Sequence, residues 1–215
     1  MTTLWVDVVL ILMTLMDLFM LGAVRLNTSI RIIALQGLVL GLMPLLIHGF
    51  ALDLLLFTIL TAAVKGVLLP AWLWRTLHRL EVNWKDEPYV GYGFSILMGP
   101  LALGFALWIS SRLKLPEGIM ASSTMIVPVA IFTLVVGLFL IVSRKKALSQ
   151  VIGYIILENG IYIFGISFAQ HQPLLIELGI LLDIFVGVFV MCIAMFHISR
   201  QFDHIDTDRM SALRN

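Results

Sequence analysis

An all-α polytopic membrane protein with seven transmembrane helices is the fold class the sequence predicts, and three observations predict it. Of 215 residues, 60% are apolar and only 13% are charged, about half the roughly 25% usual in soluble domains. The mean hydropathy is +1.04, more apolar surface than a soluble globule of this size can hide, because much of any globule's surface faces water. The apolar residues also fall in runs of about 20, the length that crosses a hydrocarbon core of about 30 Å. Disorder, a secreted disulfide scaffold and a cytosolic enzyme are excluded on these grounds. Cys192 is the only cysteine, which leaves no internal disulfide, zinc cluster or iron–sulfur ligation. A formal net charge of +1 gives no nucleic-acid footprint.

The first span, 3–24, carries Asp7 and Asp17 and closes at Arg25-Leu26-Asn27-Thr28. Without a basic n-region or a small-residue cleavage site it reads as a span, not as a signal peptide. The second, 29–47, closes at His48-Gly49, and the third, 52–75, contains Lys65. The longest soluble stretch follows, from Arg75 to Gly91. The fourth span is 92–110. The fifth, 122–143, ends in Ser143-Arg144-Lys145-Lys146, the sixth is 150–169, and His171-Gln172-Pro173 separates it from the seventh, 174–197. Pro44, Pro70, Pro100 and Pro128 sit one in each of the second to fifth spans, where neighbouring helices can re-satisfy the freed carbonyls.

Basic residues orient the chain. Arg25, Arg31, Arg75, Arg79, Lys85, Arg144, Lys145, Lys146, Arg200, Arg209 and Arg214 fall on one side, Arg112 and Lys114 on the other. The N-terminus is expected outside and the C-terminus in the cytoplasm. The chain also reads as one three-helix unit used twice in the same orientation. Val24-Arg25 leads into the second span as Ser143-Arg144 leads into the sixth, and Val64-Lys65-Gly66-Val67 resembles Phe185-Val186-Gly187-Val188. The expected organisation is a first unit with its cytoplasmic loop (1–91), a linking helix and outer loop (92–121), a second unit (122–198) and a cytoplasmic tail (199–215).

Asp17, Lys65, Glu158 and Asp183 lie far from either end of their spans. An ionisable group at the centre of a helix costs about 2.5–3.5 kcal/mol on insertion scales, so such groups face protein or water and usually serve function. At a rise of about 1.5 Å per residue, Glu158 lies about 12 Å from the inner end of its helix and Asp183 about 14 Å from the outer end of the next. A short turn makes these helices neighbours, so the two carboxyls can share a hydrated pocket suited to proton uptake near neutral pH. Tyr154, Glu158 and Tyr162, spaced i, i+4, i+8, line one helix face. Gly179 and Gly187 flank Asp183 and leave room beside it. Asp17 and Lys65 both lie about 20 Å from the outer ends of their helices, which allows an ion pair between them. The competing reading is that all four groups hold helices together by hydrogen bonds. Asp7, Asp53 and Glu177 sit near outer ends and read as hydrated. No histidine spacing supports a metal site. No redox centre, phosphate loop or cofactor site is evident.

The stretch Val142-Ser143-Arg144-Lys145-Lys146, followed by Gln150-Val151-Ile152-Gly153-Tyr154-Ile155-Ile156-Leu157-Glu158-Asn159-Gly160, resembles the hydrogenase-4 component E family. These are membrane subunits of energy-converting, group 4 [NiFe]-hydrogenase and formate hydrogenlyase-type complexes. Ile176-Glu177-Leu178-Gly179-Ile180, Asp183 and the tail from Ile205 to Leu213 fit the same pattern. The last three spans are also similar to the K-type subunit of respiratory complex I and the C-type subunit of Mrp cation/proton antiporters. Asp183, four residues before Gly187, matches the second buried acid of the K-type pattern. Glu158 matches the first with a departure: the complex I acid stands where this chain has Ile155, about 4.5 Å away along the axis on nearly the same face.

The resemblance implies a non-redox subunit beside antiporter-like membrane subunits, in the inner membrane of a bacterium or archaeon. Iron–sulfur and nickel–iron chemistry would reside in cytoplasmic partners. It implies that Glu158 and Asp183 relay protons; from the buried charges themselves, Lys65, Asp17 and Tyr154 extend the path. A subunit of a cation/proton antiporter without a redox partner, a purely structural membrane anchor and a free-standing transporter remain alternatives. Carboxylates alone suit protons or sodium, and sodium would want further oxygen ligands.

Overall fold

The computed structural model describes residues 2–48, 52–79, 89–113, 123–166 and Gly187. The regular structure among them is helical: α1 (Thr2–Gly22), α2 (Leu26–His48), α3 (Leu52–Ala63), a π-helical segment (Val64–Leu68), α4 (Leu69–Arg79), α5 (Tyr92–Arg112), α6 (Ile126–Ser143) and α7 (Ala147–Ile166). In a bilayer every backbone N–H and C=O must be satisfied internally, so apolar runs of this length become helices. Helices α1, α2, α5, α6 and α7 are each long and apolar enough to span, and the chain is a multi-pass membrane protein. The seventh predicted span, and Asp183 with it, lies outside the described residues save for Gly187.

The third predicted span differs from expectation in two ways. It is not one regular helix: at Val64–Leu68 the ladder widens, and the Leu69 N–H donates to the Val64 carbonyl, five residues back. Nor does it end at Arg75. The helix continues to Arg79 because α4 is amphipathic, with Leu73 and Leu77 buried and Trp74 and Arg75 exposed. A charged residue here marks the solvent face of a helix leaving the membrane, not its end.

The pairs α1–α2 and α6–α7 are hairpins with short corners, and α6 against α7 is the most extensive contact between described helices. Glycines permit it. A Cβ on Gly160 would lie 2.8 Å from the Leu134 nitrogen, and one on Gly137 would overlap the backbone of Leu157. Small residues of this kind let helix backbones approach in a membrane, where apolar burial gives no drive to associate.

Buried apolar side chains form two clusters. One lies toward the Arg25 and Arg144 corners and includes Met20, Leu21, Leu26, Ile33, Leu69, Leu73, Leu77, Val136, Leu140 and Ile156. The other lies toward the opposite end and includes Val6, Leu10, Met13, Leu40, Met43, Ile126, Ala130 and Ile163.

Arg144, read from sequence as a surface cation that sets topology, is only 1% exposed. Its Nη2 donates to the Leu21 carbonyl at 3.1 Å, near the end of α1, where helix carbonyls lack intrahelical donors and carry partial negative charge. Its guanidinium stands 5.5 Å from the centroid of Tyr92, and the Tyr89 N–H donates to the Ser143 carbonyl at 2.8 Å. Arg144 thereby ties together the ends of α1, α5 and α6. Arg144→Met is expected to cost about 1.5–3 kcal/mol, the range for a hydrogen bond to a charged group, read as a lowered thermal midpoint in detergent. An unchanged midpoint would show that the corner holds without it.

Candidate functional site

Lys65 lies in the π-helical segment, and its Nζ donates to Glu158 Oε1 of α7. Both side chains are 2% exposed. Lys65 also lies 5.1 Å from the centroid of the Tyr162 ring, one turn beyond Glu158. A glycine of α2 sets the position of the lysine. A Cβ on Gly37 would overlap the Lys65 carbonyl, so α2 and the π segment cross at the pair itself. π-Helical turns concentrate at functional sites because the extra residue reorients a side chain against its helix.

A second polar group surrounds Asp17, which is fully buried. Gln36 Nε2 of α2 donates to Oδ1 at 2.7 Å, and Thr133 Oγ1 of α6 donates to Oδ2 at 2.6 Å. The pairing between Asp17 and Lys65 that depth alone allowed is thus replaced: the lysine turns to Glu158, and Asp17 takes two neutral donors.

These groups occupy one layer. In α1, Asp17 falls between Met13 of one apolar cluster and Met20 of the other. In α2, Gln36 falls between Leu40 and Ile33. In α6, Thr133 falls between Ala130 and Val136. In α7, Glu158 and Asn159 fall between Ile163 and Ile156. Gln36 bonds Asp17 on one side of α2, while its neighbour Gly37 touches Lys65 on the other. Asp17, Gln36, Thr133, Lys65, Glu158 and Asn159 therefore form a polar stratum sandwiched between two apolar ones.

Of the sequence-predicted residues, the structure brings Lys65 and Glu158 together and sets Asp17 in the same stratum. Tyr154 is one turn from Glu158 on α7, half-buried and packed against the apolar cluster of the Arg144 end. Asp183 lies outside the described residues; Gly187, four residues on, packs against Trp72, with a Cβ there 3.0 Å from the indole. Asp7 near the end of α1 accepts a hydrogen bond from Ser123 Oγ at 2.5 Å, so it is anchored as well as near water. Sequence reading passed over Gln36, Thr133 and Asn159. Asn159 is 1% exposed, and its amide finds no hydrogen-bond partner among the described residues. The available signal was an uncharged polar residue in mid-span, which is common enough in membrane helices to carry little weight without a contact.

Chemically, a lysine–carboxylate pair holds one proton between two groups whose summed charge is zero with the proton on either. A proton can shift within it without leaving a net charge in a low-dielectric layer, where an unpaired charge is costly.

An all-helical, multi-pass membrane protein with a charged stratum at mid-depth is the class that fold and site define. Comparison with known proteins narrows it. Residues 125–215 match the family described as NADH-ubiquinone/plastoquinone oxidoreductase chain 4L, the region read as similar to the complex I K-type subunit. The chain is similar over nearly its whole length to hydrogenase-4 component E of Escherichia coli strain K12, 28% identical over 205 residues that cover 94% of each chain. It is also 29% identical over 196 residues to a Mycobacterium tuberculosis protein named Rv0085, covering 88% of this chain and 87% of that one. No solved structure matches the chain.

Proposed function

We propose that this chain is the non-redox membrane subunit of a complex I-like, energy-converting hydrogenase-type complex, and that its polar stratum carries part of the proton path while its outer helix faces dock antiporter-like subunits. The observation that carries the reading is the buried Lys65–Glu158 pair, which joins the third predicted span to the sixth inside that stratum. Glu158 is also the residue that corresponds to the first acid of the K-type pattern. In this reading Glu158 and Asp183 exchange protons, Tyr154 stands one turn from Glu158 on the same helix, and Lys65 and Asp17 extend the path into the first half of the chain. The similarity to hydrogenase-4 component E and to chain 4L supports assembly in a hetero-oligomeric membrane complex. Its redox centres would sit in cytoplasmic iron–sulfur and nickel–iron partners.

Seven spans, an outside N-terminus and a cytoplasmic C-terminus complete the proposal, with 1–91 and 122–198 as two three-helix units joined through 92–121. Arg25 and Arg144, equivalent in the proposed repeat, both stand at the corner of a helical hairpin, which supports the equivalence. The test is purification from native membranes in mild detergent, followed by proton pumping in membrane vesicles. We expect co-purification of a nickel–iron subunit, iron–sulfur proteins and a large antiporter-like subunit. Glu158→Gln combined with Asp183→Asn should abolish pumping while electron transfer continues. Pumping left intact would refute the relay, and co-purification of antiporter-like subunits alone would point to an ion exchanger.

A further inference from the structure

The buried face of the third predicted span changes character at Lys65. On one side it presents Thr58 and Thr61, 5% and 4% exposed; on the other it presents Leu69, Leu73 and Leu77, each 2% exposed or less. Thr58, Thr61 and Lys65 are spaced i, i+3, i+7 and so share one face. Leu69, Leu73 and Leu77 continue that face and all join the apolar cluster of the Arg144 end. Among the described side chains of α3 none joins the cluster at the opposite end, and the buried ones there are the hydroxyl-bearing Thr58 and Thr61.

Thr58 shows that this is more than a tolerated polar residue. A threonine in a membrane helix usually returns its hydroxyl to its own backbone, as Thr14 does, donating to the Leu10 carbonyl at 2.9 Å. Thr58 Oγ1 is buried and has no hydrogen-bond partner among the described residues. A buried polar atom in that condition is ordinarily met by ordered water. The neighbouring helix adds a second polar group. A Cβ on Gly41 of α2 would lie 2.6 Å from the Ala62 Cβ. One turn further along both helices, the same antiparallel register brings the Pro44 turn alongside Thr58. Pro44 lies inside α2 and has no N–H to give the Leu40 carbonyl, which leaves that carbonyl able to accept from water.

We infer that the Lys65–Glu158 pair is reached by water, and hence by protons, from one side only, through a polar seam lined by Thr58 and Thr61 beside the helical turn of Pro44, and is sealed from the other side by Leu69, Leu73 and Leu77. The inference deepens the relay reading by giving the pair a single mouth, at the end of α3 that bears Leu52. From Thr58 to Lys65 the seam is about 10 Å long at the rise of a helix. Vectorial transfer requires a site that does not open to both sides at once, and this asymmetry supplies it.

The test uses single cysteines in a Cys192→Ala background, in membrane vesicles holding the intact complex, because Cys192 is the only native cysteine. Silver ion is applied to one face of the vesicles, and the thiols it has not blocked are then counted with a fluorescent maleimide after denaturation. Silver captures the thiolate, which forms only where water reaches. Thr58→Cys and Thr61→Cys are expected to be blocked from the Leu52 end about tenfold faster than the control Leu56→Cys, on the outer face of α3, or the seal position Leu73→Cys, since reaction follows thiolate character and access. Equal rates at Thr58 and Leu56, or equal access to Leu73, would overturn the seam. The readout involves no transport, so its failure is separate from failure of the relay, which is read by pumping in the Glu158 and Asp183 variants.

Discussion

Lys65→Met is expected to be among the most damaging single substitutions in the chain, and Lys65→Met with Glu158→Met far less so. Removing one partner of a buried ion pair leaves the other charge uncompensated, at a cost of about 3–5 kcal/mol, whereas replacing both with apolar side chains of similar volume is often neutral or stabilising. Both side chains are 2% exposed, so the solvation that bulk water gives a surface charge is largely missing when the partner is lost. The loss falls toward the lower end of that range where Glu158 takes up a proton and becomes neutral. The single variant should show a lower thermal midpoint and lower accumulation in the membrane; the double variant should recover both and still fail to pump. Equal losses in the two would show that Lys65 and Glu158 contribute independently. Recovery of stability without recovery of pumping would separate the pair's function from its part in holding α7 to the π segment.

The depth of these groups was legible in the sequence; their partners were not. A rise of about 1.5 Å per residue converts position into depth along a span, and the structure sets Asp17, Lys65 and Glu158 in one layer between the two apolar clusters. Depth does not give azimuth or neighbour. The π-helical turn at Val64–Leu68 inserts an extra residue at Lys65 and shifts its direction relative to a regular helix, and nothing in an apolar run announces such a turn. Depth allows Asp17 an ion pair with Lys65, but Gln36 and Thr133 satisfy it instead. Neutral donors suffice because a buried carboxyl requires hydrogen bonds before it requires a cation. A basic triplet after a span reads as a surface feature that orients the chain, although the Arg144 side chain reaches inward to Leu21. The overrun of α4 to Arg79 has a similar cause: hydropathy falls where the helix becomes amphipathic, before the helix itself ends.

Gly37→Ala is expected to disturb the site as much as loss of a charged residue, although it adds a single methyl group to an apolar helix. Alanine normally favours a helix over glycine by about 0.5–1 kcal/mol, and at Gly104, where a Cβ would meet nothing within 4 Å, that gain should appear in full. At Gly37 the added Cβ overlaps the Lys65 carbonyl, a backbone atom that no rotamer change can move aside, so the two helices must separate. Overpacking of this sort costs typically about 1–3 kcal/mol. The displacement acts at both halves of the stratum, because Gly37 touches Lys65 while its neighbour Gln36 holds Asp17. We therefore expect Gly37→Ala to lower the thermal midpoint and to uncouple pumping from electron transfer, with Gly104→Ala raising the midpoint and leaving pumping unchanged. Wild-type pumping by Gly37→Ala would mean that the lysine need not be held at this crossing, and would shift the coupling role onto α7 and the residues that follow it.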